Sequence, residues 1–171
     1  MGGIVKQVGE TETRQVAALP VYVTPEGRVR VGLVTSRETR RWIVPKGWPM
    51  EGLRDDEAAG IEAKEEAGLR GKMLREPIGT YHYWQRTRTH FRYVAVTTFV
   101  MQVREQKKKW KEKAQREFEW VTLVEAVDRL QEGELASLVA GLPQNAAAWK
   151  FLHEGKTMLA PKGATRKAEL A

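Results

Sequence analysis

Glu62-Ala63-Lys64-Glu65-Glu66-Ala67-Gly68-Leu69 is the stretch on which the reading turns. Upstream, Asp55 and Asp56 can cap a helix start, and Glu57 to Ala67 holds no proline and a single glycine. Gly68 is a natural terminator. At about 100° per residue, Glu62 and Glu66 stand one turn apart with Glu65 beside them, so three carboxylates leave one side of a predicted helix. Like charges at that spacing cost an isolated helix roughly 0.2–0.5 kcal/mol per pair. A solvated face tolerates that, and an acidic outer face is the simpler reading of these residues alone. The functional alternative is a hard divalent cation, because Mg²⁺ takes oxygen ligands and would relieve the repulsion. Ala59, Ala63 and Ala67 recur every fourth residue and leave a narrow side that can lie close against a sheet.

Working outward, Val16 to Thr24 and Val29 to Thr35 are β-prone runs joined by Pro25-Glu26-Gly27, a hairpin signal. Pro20 within the first run suggests an edge strand or a bulge. Trp42-Ile43-Val44 is a short strand candidate closed by Pro45. Beyond the helix, Ile78 to Tyr83, Phe91 to Val103 and Phe118 to Val121 read as strands. Thr122 with Glu125 is a capping box, with Leu123, Val127 and Leu130 on one helical face. A last helix is expected over Gln144 to His153, entered by Pro143. The order of strands, helix, strands and helices predicts an α/β domain with a mixed sheet.

The chain has 171 residues with 42% hydrophobic, enough for one domain with a sizeable core and against intrinsic disorder. It has no cysteine, which excludes a disulfide scaffold, a thiol nucleophile and a Cys-ligated metal. No apolar run approaches the roughly 20 residues that span a bilayer. The opening Met-Gly-Gly-Ile-Val-Lys is too short in its apolar part for a secretory signal, and Lys6 stands where a myristoylation signal wants Ser or Thr. A cytoplasmic protein is the expectation. The net charge of +7 is unevenly placed. Arg104–Arg116 carries seven basic and two acidic residues (+5), and Gly155–Ala171 four and one (+3), so the remaining residues sum to −1. That near-neutral body argues against a nucleic-acid binder. The Arg104–Arg116 run is expected to be a solvated loop able to grip a polyanion, and the tail a frayed terminus.

Trp42-Ile43-Val44-Pro45-Lys46-Gly47 leads into the acidic helix, with twenty residues between Gly47 and Gly68. Here the chain resembles the Nudix hydrolases, whose box runs glycine, five residues, Glu, seven residues, then Arg-Glu-apolar-any-Glu-Glu-any-Gly-apolar. From Gly47 to Leu69, Glu62, Ala63, Glu65, Glu66, Gly68 and Leu69 match. Leu53 replaces the first box Glu and Ile61 the box Arg. The resemblance implies a Nudix fold, a mixed β-sheet sandwiched between α-helices. It also implies Mg²⁺ or Mn²⁺ held by Glu62, Glu65 and Glu66 with the Gly47 carbonyl, the same three glutamates being catalytic. The cation would bridge two diphosphate oxygens and lower the pKa of an attacking water. Some family members use a carboxylate outside the box, for which Glu112, Glu117 and Glu119 are candidates. Arg41 or Arg92 could replace the missing box Arg, and Glu51 or Glu57 the missing Glu.

Gln15–Leu19, Ser36-Arg37 through Pro45, and Glu119-Trp120-Val121 with Glu125-Ala126 look like the branch that contains diphosphoinositol polyphosphate and diadenosine polyphosphate hydrolases. The likeness covers roughly Thr13 to Leu130. Arg14, Arg37, Arg41, Lys46, Arg86, Arg88 and Arg92 are the candidate substrate-binding cations, each contact contributing about 1.5–3 kcal/mol. Tyr81, Tyr83 and Trp84 could stack a nucleobase, although alternating aromatics are more often core. Trp42 and Trp120 read as packing residues, and His82 and His90 as structural or surface residues without metal-ligand spacing. The expected domain is 13–154, between an N-terminal segment 1–12 and a basic tail 155–171. The expected partner is a small-molecule polyphosphate, not a membrane or a nucleic acid, and a monomer and a homodimer both stay open. The rival functions are an inactive Nudix-fold ligand-binding module and a nucleic-acid-associated protein using the basic loop and tail.

Overall fold

The computed structural model describes residues 13–154. The expectations for segments 1–12 and 155–171 lie outside the described residues. Eight strands form one sheet: β1 (Thr13–Val23), β2 (Val29–Thr35), β3 (Trp42–Ile43), β4 (Lys46–Gly47), β5 (Leu69–Met73), β6 (Gly79–Arg86), β7 (Phe91–Gln106) and β8 (Phe118–Val121). The helices are α1 (Asp55–Ala67), α2 (Leu123–Arg129), α3 (Gly133–Ala140) and α4 (Ala146–His153). The main path runs β3-β2-β1-β7-β5, with β4 on β1, β6 on β7 and β8 on β2. The sheet is mixed because β1 and β7 run parallel over nine register pairs, Thr13↔Val94 to Val21↔Gln102, while all other pairs are antiparallel.

Strand β1 is apolar almost throughout because both of its faces are covered. Ala17, Leu19, Val21 and Val23 pack into one core with Leu135, Val139, Leu142 and Leu152 of the C-terminal elements. Val16, Ala18 and Tyr22 pack into a second core with Ala58, Ala59, Ala63 and Ala67 of α1. The alanine repeat therefore does what its spacing predicts: Ala59, Ala63 and Ala67 are fully buried, as is Ala58, and the small side chains let α1 approach the sheet. Pro20 does not mark an edge. It sits in a central strand, opposite Met101 of β7, in the gap where β1 passes from pairing with β4 (Val16, Ala17) to pairing with β2 (Val21 onward). A residue without an N–H fits where no ladder bond is drawn.

Strand β7 runs three residues beyond the expected Val103 and pairs with β5, an element of poor β propensity (Leu-Arg-Gly-Lys-Met) held by its neighbour. Helix α4 starts at Ala146, capped by the Asn145 side chain accepting from the Ala148 N–H at 3.0 Å, and Pro143 belongs to the 3-10 turn before it. Helix α3 is an addition to the expected elements. No helix among the described residues is long and apolar enough to cross a membrane.

Helix α1 stops at Gly68, whose φ of 68° is left-handed. An added Cβ would come within 2.5 Å of the Trp110 ring. Gly68→Ala combines backbone strain with a displaced indole and should cost about 1–3 kcal/mol, read as a lower urea midpoint at unchanged m-value.

Candidate functional site

The site is built on the C-terminal half of α1 and the strap that closes it. A helix leaves its last carbonyls without intrahelical partners. Here the Gly68 N–H reaches Lys64 O at 3.0 Å, the Glu112 N–H reaches Glu65 O at 3.0 Å, and the Trp110 indole donates to Glu66 O at 3.1 Å. The Gln106 amide donates to Ala67 O at 3.2 Å, and the Lys107 N–H donates to Gly68 O at 2.9 Å. The lysine-rich run is thus docked on α1 through its backbone, Gln106 and Trp110, while Lys108, Lys109, Lys111 and Lys113 stay exposed to solvent.

The strap brings Arg116 to Glu66. Their side chains are both nearly buried and 3.0 Å apart, and Arg116 also lies 3.5 Å from Glu112. Arg116 donates further to Thr35 O at 3.0 Å. It supplies the cation whose place in the box is taken by Ile61. Arg41 and Arg92, the expected substitutes, are engaged elsewhere: Arg41 pairs with Glu132 at 2.8 Å, and Arg92 bonds Gln85 at 2.9 Å. The Lys46 N–H donates to Glu66 Oε2 at 3.3 Å, tying β4 to the same carboxylate.

Glu62 and Glu66 face β4 together. An added Cβ on Gly47 would fall 2.1 Å from Glu62 Oε1, so that carboxylate occupies the space only a glycine leaves. Glu62 takes no ion pair or hydrogen bond among the described residues. Burial, then repulsion from Glu65 and Glu112, pushes its pKa up to about 7. Burial also pushes Glu66 up to about 7, against the opposing pull of Arg116 and Lys46. Glu65 departs from the pair and bonds Lys111 at 3.0 Å. Among the described residues, no three His, Cys, Asp or Glu side chains are gathered closely enough to hold a metal ion.

Of the outside carboxylates, Glu112 joins this cluster, while Glu117 pairs with Arg40 and Glu119 with Arg129. Glu57, a candidate for the box Glu missing at Leu53, accepts from the Arg54 N–H at 2.9 Å at the start of α1. The expected cations scatter. Lys46 lies over the Tyr83 ring at 4.7 Å, Arg92 over the Trp48 ring at 5.4 Å, and Arg37 beside Glu112 at 3.5 Å. Arg14 pairs with Asp55 at the far end of α1. Strand alternation separates Arg86 from Arg92, because Gln85↔Arg92 and Arg86↔Phe91 are successive register pairs. Arg86 shares its face with the exposed Trp84, and Arg88 lies in the hairpin turn. Tyr81 is core, Tyr83 donates to Gln15 at 2.7 Å, and His82 bonds Glu134 at 3.2 Å.

The family profile described as NUDIX domain matches residues 13–140. The chain belongs to the NUDIX family. Nudix hydrolase 12, mitochondrial, from Arabidopsis thaliana is 30% identical over 109 residues, which are 59% of this chain and 52% of that protein. Nudix hydrolase 13, mitochondrial, from the same plant is 27% identical over 113 residues, 60% of this chain and 54% of its own. The NUDIX chain thus spans about half the length of the curated relatives it matches. Among solved structures, the fold is similar to a C. elegans Ap4A hydrolase (TM-score 0.55, 15% identity, 78% of this chain and 97% of that one). It is also similar to the E. coli dihydroneopterin triphosphate pyrophosphohydrolase (TM-score 0.57, 14% identity, 78% and 96%).

The buried charges set a pH signature for the metal-free NUDIX protein. Glu62 holds its proton in the folded state up to about pH 7, whereas an unfolded Glu releases it near 4.5. The folded state therefore binds more protons between these values, and stability falls as pH rises through that window. Glu62→Gln should flatten this slope and raise the melting temperature above pH 7. Arg116→Gln should cost about 3–5 kcal/mol at alkaline pH, because it strands buried Glu66, and less in acid, where Glu66 takes up a proton. Denaturant titrations on both sides of pH 7 check both.

Proposed function

We propose that the protein is a divalent-metal-dependent pyrophosphohydrolase that cleaves a phosphoanhydride bond in a nucleoside polyphosphate. The observation that carries this reading is the placement of two acids of α1 on β4, Glu62 against Gly47 and Glu66 on the Lys46 N–H, half-buried to buried, with Glu62 lacking any counter-ion of its own. Hard oxygen donors held near one another at a cost in repulsion suit Mg²⁺ or Mn²⁺ in kind. Glu62, Glu66 and the Gly47 carbonyl would hold the ion, joined by Glu65 once it leaves Lys111. When bound, the ion neutralises the diphosphate and acidifies a water. Glu112 is the carboxylate we assign to orient that water and take its proton, with Arg116 and Arg37 holding it in position. Lys46 and Arg92 would bind phosphate oxygens as the attacked P–O–P bridge breaks. Trp48, 44% exposed and directly after Gly47, offers a nucleobase a ring to stack on.

Glu62→Gln and Glu66→Gln should abolish turnover while circular dichroism stays unchanged. Glu112→Gln should lower kcat by roughly a hundredfold or more. Gly47→Ala should also remove activity, with little loss of stability, because only the flexible end of Glu62 has to move. The measurement is phosphate release, with and without Mg²⁺, from diadenosine polyphosphates, diphosphoinositol polyphosphates, ADP-ribose and oxidised nucleotides. Preference for diphosphoinositols would shift the substrate to that branch of the resemblance. No Mg²⁺-dependent release from any of them would make the chain a ligand-binding module.

A further inference from the structure

Beside α1, one turn of the helix round from Glu62 and Glu66, lies a cavity of about 530 Å³. It is bounded by Lys64 and Arg70 on the helix and β5, by Lys107, Lys109 and Lys111 on the strap, and by Trp110. Ile61, Glu65 and Gly68 complete its wall, the i, i+4, i+7 face of α1. Five cationic residues thus line it with one carboxylate. Glu65 is already paired with Lys111, and Lys107 pairs with Glu105. Lys64, Arg70 and Lys109 make no ion pair among the described residues. The strap is pinned by its four bonds to the end of α1, so these charges are brought together by folded backbone.

The geometry points to a second anion site, in which Lys64, Arg70 and Lys109 bind a compact polyphosphate chain, separate from the cleft of Glu62 and Glu66. Like-charged groups held at a concave surface focus potential and collect polyanions. A half-open cavity of this volume suits a small molecule more than a long strand. Trp110 does not offer a stacking platform, since Gly68 lies against its ring and Lys113 sits 4.7 Å from its centroid. The ligand chemistry is therefore the phosphate chain itself, whether inorganic or the tail of a nucleotide.

Calorimetric titration with tripolyphosphate, in EDTA and with Glu62→Gln in the background, keeps this test independent of catalysis. One site is expected, weakened with rising salt. Lys64→Ala, Arg70→Ala and Lys109→Ala together should weaken it roughly tenfold or more. The control pair Arg28→Ala and Lys150→Ala, on other surfaces, should leave it unchanged. ATP binding as tightly as tripolyphosphate would identify the nucleotide tail as a sufficient source, and weaker binding would favour the inorganic chain. Both outcomes support the site. Equal weakening by the control pair, no effect of the triple variant, or preference for a single-stranded oligonucleotide spanning several copies would each overturn it. The three residues are exposed. If the triple variant loses its native circular dichroism, single substitutions, each with a several-fold effect, decide the matter.

Discussion

The end of α1 is the constraint on which the rest of the molecule leans. Five successive carbonyls, from Lys64 to Gly68, need donors at a place where the sheet edge and the helix both stop. One donor comes from the helix's own terminal glycine, and the other four from a single stretch, Gln106 to Glu112. That stretch cannot be arranged independently of the helix, so a loop with the composition of a solvated run is ordered by its backbone. Gln106 extends the coupling, accepting from the Trp120 indole at 3.2 Å while donating to Ala67, and so links the helix end to β8. Glu112 and Arg116, which follow directly, take their positions from this closure.

The buried charges make physical sense only in this frame. Two carboxylates, Glu62 and Glu66, are withdrawn from water beside one another, and a single guanidinium is shared between Glu66 and Glu112. A buried ion pair is not by itself a gain in stability, because desolvation of both partners offsets their attraction. Raised pKa values on both glutamates indicate that desolvation wins here. A fold selected for stability alone would place apolar side chains there. Three acids around one arginine, where α1 meets β4, are the perturbed-charge pattern on which the proposed cation site rests.

Much of this architecture can be read from local patterns. The Glu62–Leu69 stretch, the alanine repeat, the Thr122 capping box and the hairpin at Pro25–Gly27 each carry their signal within a few residues, and each appears where the pattern puts it. The misses share a cause. Strand β5 has almost no β-forming side chains and exists because β7 supplies its partner. The substitute for the box arginine lies fifty positions from Glu66, and no periodicity ties position 116 to position 66. The docking of the lysine run depends on backbone carbonyls, which carry no sequence signal. Pro20 misled because a missing donor marks a gap in a ladder, and such a gap occurs in a central strand that changes partners as readily as at an edge.

The fate of the arginines shows why composition alone overstates a binding surface. Arg14, Arg37 and Arg41 all stand near the box in sequence, yet each is engaged by a carboxylate: Asp55, Glu112 and Glu132. An arginine already paired gives up that contact before it can hold a phosphate, so its net contribution to binding is the difference between two charge-assisted bonds. Lys46 and Arg92 differ, since their heads rest on the rings of Tyr83 and Trp48 and the buried Arg92 Nε has no hydrogen-bond partner. A cation held by an aromatic face has no carboxylate to give up, and the side-chain hydrogen bond of Arg92 goes to the neutral Gln85 amide. On that argument, the cations we propose for the substrate phosphates at the Glu62 and Glu66 cleft are Lys46 and Arg92, which lie against aromatic rings, while the paired arginines hold the loops around them.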